Sequence, residues 1–133
     1  MRRIDKIIIH CTATPEGRYV TVADVDRYHK SRGWTGIGYH YLISLNGEIW
    51  QGRDESQIGA HTMGQNTNSI GICYVGGVDK SMNPKDTRTP AQIDALKKLI
   101  ADLKKKYPQA TVHGHNEFAA KACPCFDVKK EFR

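Results

Sequence analysis

The chain has 133 residues, of which 39% are hydrophobic and 26% charged. This is the size and composition of one folded domain, residues 1–133, and it excludes a disordered chain. No apolar run approaches the ~20 residues of a membrane-spanning helix, so membrane insertion is not expected. The net charge of +6 favours anionic partners: nucleic acid, a membrane surface or a bacterial cell wall.

Met1 to Asp5 is charged, with no apolar stretch behind it of the kind a Sec leader needs, so synthesis in the cytoplasm is expected. Lys6 to Cys11 then reads as a short buried strand ending near His10. Thr12 to Tyr19 holds Pro15 and Gly17 and reads as a loop. Thr21 to Arg32 reads as a helix, with Thr21 as its cap, Asp24 three residues on, and Gly33 as its stop. Tyr39 to Leu45 and Glu48 to Gln51 flank Asn46-Gly47, a strong hairpin signal. Ser69 to Val75 is a further strand, with Ile70, Ile72 and Tyr74 on one face. Gly76 to Thr89 reads as one surface loop.

Thr89 and Gln92 form a capping box ahead of a helix running to Lys106, with Pro90 at its first position. Ile93, Leu96, Ile100, Leu103 and Tyr107 make its apolar stripe, and its lysines fall largely on the other faces. Ala110 to His113 is a short strand, and Asp127 to Arg133 a basic helix or tail. The expected fold class is α/β (α+β): a central mixed sheet flanked by helices.

Six histidines and four cysteines are the chemically pointed residues. His113, His115, Cys123 and Cys125 lie in one short segment, and His10 ends a strand from which it can converge with them. Neutral imidazole and thiolate are good zinc ligands. Two imidazoles and one thiolate leave zinc with an open position and one net positive charge, the catalytic arrangement. The plainer reading stands beside it: hydrogen-bonded histidines and a buried cysteine acting as a small hydrophobe. A Cys123–Cys125 bridge is disfavoured by the strain of so short a loop. The lysine-rich helix comes with no zinc-finger spacing or aromatic RNA-binding motif, so nucleic acid is not a required partner.

Several motifs in order complete the reading: Ile9-His10-Cys11-Thr12-Ala13-Thr14, Gly33-Trp34, Gly38-Tyr39-His40, Gly52-Arg53, Gly59-Ala60-His61, Asn68-Ser69-Ile70-Gly71-Ile72, His115-Asn116-Glu117 and Lys121-Ala122-Cys123-Pro124. With them the chain, from about Ile7 to Lys129, resembles the zinc N-acetylmuramoyl-L-alanine amidases of the phage-lysozyme and peptidoglycan-recognition-protein type. The resemblance implies one Zn2+ held by His10, His115 and Cys123, with Tyr39 and Lys121 at the two other catalytic positions. It implies hydrolysis of the amide joining N-acetylmuramic acid to L-alanine in bacterial peptidoglycan. Relatives without the ligand cysteine bind without cutting; Cys123 favours the enzyme. A phage or prophage lysin released to the wall, or an exported effector, both fit, as a monomer.

The family's Gly-His-x-Glu pattern selects His115 over His113, which is left to a supporting or groove position. Glu117 is a general-base candidate by type, with ordering of the His115 loop as its plainer role. Cys125 stands where relatives carry a small residue and is read as a passive neighbour; Cys11 and Cys73 read as core. His61 matches a groove position, His40 reads as structural, and His29 as surface. Trp34, Trp50 and Arg53 are groove candidates with packing as the plainer reading.

Overall fold

The computed structural model describes residues 2–133. Three strands run parallel side by side: β5 (Ser69–Tyr74), then β1 (Lys6–Cys11), then β7 (Thr111–Gly114) at the edge. With β3 (Tyr41–Ile43) and β4 (Ile49–Gln51) they make a five-stranded sheet in the order β4-β3-β5-β1-β7. Only β4 runs antiparallel, to β3; β1 is parallel to both of its neighbours, β5 and β7. The mixed sheet is as expected.

Alternation along β1 and β5 sorts side chains to two faces. Ile7, Ile9, Cys11, Ile70, Ile72 and Tyr74 pack in one cluster with Leu96, Leu99, Ile100 and Leu103 of α2 (Pro90–Lys106). Cys73, Leu42 and Val75 pack on the other face with Val20 and Val25, beneath α1 (Val22–Ser31). Each fully buried aliphatic side chain contributes about 1.5–3 kcal/mol, which makes the sheet centre the rigid part of the molecule.

Both helices begin as expected. Thr21 Oγ1 accepts from Asp24 N at 3.1 Å and Thr21 N donates to the Asp24 carboxylate at 2.9 Å. Thr89 and Gln92 make the same reciprocal pair at 3.1 and 2.9 Å. The stripe of α2 is rotated from the expected one. Leu99 and Ala95 are buried, whereas Ile93 is half-buried. A short α3 (Val128–Phe132), capped by Asp127, docks on β7.

Three local readings change. Tyr39 precedes β3 instead of opening it. The hairpin loop is wider than Asn46-Gly47: Gly47 N donates to Ser44 O, and Gly47 takes a left-handed φ of +82°, giving a turn followed by a bulge. The stretch after Gly76 is not all surface loop. β6 (Gly77–Val78) is buried and pairs in parallel with β2 (Thr14–Pro15), inside the expected Thr12–Tyr19 loop. A Cβ on Gly77 would lie 2.4 Å from Cys11 Sγ, so only glycine lets this strand close on β1.

Candidate metal centre

His10 is the penultimate residue of β1, and alternation turns it away from Cys11. It is 1% exposed. His115 opens a 3₁₀ turn (His115–Glu117) directly after β7, the strand beside β1. The two rings therefore meet at the ends of adjacent parallel strands, with centroids 4.6 Å apart. Cys123 follows in an irregular loop, and Cys11 N donates to its Sγ at 3.2 Å. One donor atom each from His10, His115 and Cys123 lies within 4.8 Å of the others. The structure thus brings together the three residues read from the sequence as ligands.

The turn that aims His115 is fixed by Glu117, whose carboxylate accepts from Gly114 N at 2.8 Å and from Arg133 at 3.0 Å. Glu117 also meets His113 Nδ1 at 3.0 Å. This is the ordering role. His113 turns outward to Thr111, Glu117 and Arg133, because the strand ends at Gly114 and the two histidines stop sharing a face.

Behind His10 lies a buried polar chain. His10 Nε2 is 2.9 Å from His61 Nδ1 and 3.2 Å from Thr62 Oγ1, and His61 Nε2 is 3.2 Å from Ser69 Oγ. That engagement of Nε2 leaves Nδ1 as the nitrogen of His10 available to a metal. The His61 ring fits because Gly59 and Gly71 flank it; a Cβ on either would lie 2.7 or 2.6 Å from the ring. Sequence reasoning placed His61 in the groove and missed this backing role. The Gly59-Ala60-His61 run was the local signal available in the sequence.

Burial holds His10 well below the usual histidine range, with further push from His61, His115 and Lys121. His115 is lowered by burial and then by Lys121. Both imidazoles are neutral at physiological pH, the state a metal needs. Lys121 is exposed, and its charge reaches both histidines. Tyr39 is half-buried, its ring 5.1 Å from His10. Burial, then the Cys73, Cys123 and Cys11 thiols, raise its pKa well above the normal phenol value. It is therefore a protonated hydrogen-bond donor at neutral pH. A cavity of about 300 Å³ lined by Thr12, Arg18, Tyr19, Tyr28, His29 and Tyr39 opens beside it.

Other sequence readings fall as follows. His40 is structural: its Nδ1 accepts from Gly71 N at 3.0 Å. His29 is not a surface residue. It is 4% exposed and accepts from Gly38 N at 2.8 Å, because the 34–38 segment folds back over α1. Arg53 donates to Ile37 O and Ile58 O, tying two loops together. Trp34 meets His29 edge-to-face, and Trp50 meets Tyr19 in the same way. Cys125 lies against Cys11, outside the three-residue group, and Cys73 is in the core.

The sequence profile described as N-acetylmuramoyl-L-alanine amidase matches residues 1–126. The chain belongs to this family. It is 43% identical over 126 residues to the endolysin of Escherichia phage T7, covering 95% of this chain and 83% of that one. It is 42% identical over 125 residues to the endolysin of Klebsiella phage KP32, covering 94% and 83%. Among solved structures, the N-acetylmuramoyl-L-alanine amidase LysC from Clostridium intestinale superposes with a TM-score of 0.84 at 30% identity, covering 97% of this chain and 83% of that one. Drosophila PGRP-LB gives 0.79 at 30% identity, covering 93% and 76%. The protein is a peptidoglycan hydrolase of the amidase class, with the mixed α+β fold of these neighbours.

Proposed function

We propose that the whole chain is a single zinc-dependent catalytic domain that hydrolyses the amide between N-acetylmuramic acid and L-alanine of the stem peptide. The observation that carries this reading is the convergence of His10, His115 and Cys123 within 4.8 Å. Two imidazoles and a thiolate suit a borderline-soft divalent ion, and three protein donors leave one coordination position open. When bound, zinc supplies a Lewis acid that polarises an amide carbonyl and acidifies water.

The remaining chemistry falls to side chains. His10 and His115 stay neutral, and His10 is held in place by the His61–Ser69 chain behind it. Tyr39, protonated and beside His10, donates a hydrogen bond to the oxyanion that develops as the amide carbon becomes tetrahedral. Lys121 contributes positive charge to the same developing oxyanion. The cavity beside Tyr39 receives the stem peptide or sugar. Exposed Lys97, Lys98, Lys104 and Lys105 on α2 attract the protein to anionic wall polymers. No helix among the described residues is long and apolar enough to cross a membrane. The protein works as a monomer, made in the cytoplasm as a phage or prophage lysin and acting on the wall after release.

Mass spectrometry of peptidoglycan digests tests the reading. New amino termini on L-alanine, lost with a chelator and restored by zinc, are expected. New reducing sugar ends alone would show a glycosidase and overturn it. Tyr39→Phe and Lys121→Ala should lower kcat about 100-fold each while leaving zinc bound; unchanged kcat would remove these residues from the site.

A further inference from the structure

Tyr74 has a polar group that packing alone does not require. It sits at the end of β5, 0% exposed, in the cluster formed with α2. A phenylalanine would fill the same space. Its hydroxyl crosses to the loop that follows the His115 turn and donates to Pro124 O at 2.6 Å, fifty residues away in sequence. Pro124 is the residue directly after Cys123. In the sheet register Tyr74 stands opposite Cys11, whose N–H donates to Cys123 Sγ at 3.2 Å. Two adjacent strand ends therefore hold the same loop. One grips the sulfur and the other grips the next carbonyl. The loop has no helix or strand of its own between the 3₁₀ turn and α3; its local turn, closed by Cys125 N donating to Ala122 O at 2.7 Å, is tied to the sheet by these two bonds.

We infer that Tyr74 is a positioning residue for the metal: its hydroxyl, through Pro124 O, holds Cys123 Sγ at the spacing from His10 and His115 that a single ion needs. This rests on the zinc reading above. Tyr74 acts through Cys123 and touches no reacting atom. Partners that orient metal ligands typically change metal affinity by 10- to 100-fold when lost.

The test is zinc affinity, measured by competition with a chromophoric chelator at a temperature well below unfolding. The variants are Tyr74→Phe and, as a control, Thr89→Ala, which removes the cap of α2; the Thr89 hydroxyl accepts from Gln92 N and donates to Leu45 O, not to the Cys123 loop. Wild type is expected to bind one zinc. Tyr74→Phe is expected to bind zinc about tenfold more weakly, and its cobalt-substituted form to show a weakened or shifted thiolate-to-cobalt charge-transfer band. Thr89→Ala is expected to match wild type in both. Wild-type affinity and band in Tyr74→Phe would overturn the inference. So would an equal loss in both variants, which would mark the effect as general destabilisation. A wild-type protein that binds no zinc would overturn the zinc reading itself, and the positioning role with it.

Discussion

The Cys11 and Cys125 thiols lie 4.0 Å apart, in contact with each other, while the Cys123 sulfur faces His10 and His115. Burial pushes the Cys125 thiol up to about 12, with Cys11 adding to the shift. Cys11 is raised further still, by its bond to Cys123 and then by burial. Both are protonated, poorly nucleophilic thiols at neutral pH. Cys123→Ser is therefore expected to lose the metal and the activity, and Cys125→Ser to keep both. Zinc content by mass spectrometry under native conditions checks it; the opposite pattern would move the ligand role to Cys125.

Gly71 is the floor on which the His61 ring rests. Gly71→Ala places a Cβ 2.6 Å from that ring. The ring has no free direction, because His10, Thr62 and Ser69 hold it. The substitution should cost about 1–3 kcal/mol of stability by overpacking, and should weaken metal binding by displacing His10. Denaturant unfolding of the chelated protein measures the first effect and zinc competition the second. A variant as stable as wild type would show that the site can relax.

His29 and His40 are buried and neutral. Burial lowers both below the ordinary value of 6.5, with Arg32 adding to the effect at His29. In the unfolded chain both take up protons near 6.5; in the folded chain they do not. The unfolded state then binds more protons, so the stability they contribute is present above 6.5 and is lost as pH falls below it. The melting temperature of the chelated protein should drop between pH 7 and 5. Imidazole proton resonances of the two residues should fail to titrate near 6.5; ordinary titration curves would contradict their burial.

Arg88 has only 4% of its side chain exposed. Its guanidinium lies 3.5 Å over the Phe126 ring and binds Asp86 and the Glu131 carboxylate, which joins α3 to the loop ahead of α2. Arg88→Ala should destabilise the protein by about 2 kcal/mol, with the loss concentrated in α3. Hydrogen exchange that rises across 126–132 and stays low in β1 and β5 is the expected pattern. Uniformly faster exchange would mean that α3 is not a separate unit.

Strands and capped helices were legible because their signals are local: Thr89 with Gln92, Thr21 with Asp24, the isoleucine alternation of β1 and β5. The grouping of His10, His115 and Cys123 was legible through ordered motifs, although no spacing rule brings His10 to Cys123. What sequence did not show depends on neighbours distant along the chain. His29 reads as exposed on its helix until the 34–38 segment covers it. The β2–β6 pairing needs Gly77 to meet Cys11, a contact invisible in either segment. The hydroxyl of Tyr74 looks like one more apolar strand position until the loop from the far end of the chain arrives over it.

That separation along the chain has a consequence for timing. β1, which brings His10, is completed only between β5 and β7, and the other two proposed ligands follow β7. Parallel pairing of such distant segments is slow to form. A chain still on the ribosome holds His10 long before it has anything to share a metal with. If these three residues hold the ion as proposed, the hydrolase can gain its metal only after Cys123 has cleared the exit tunnel and closed against the first strand.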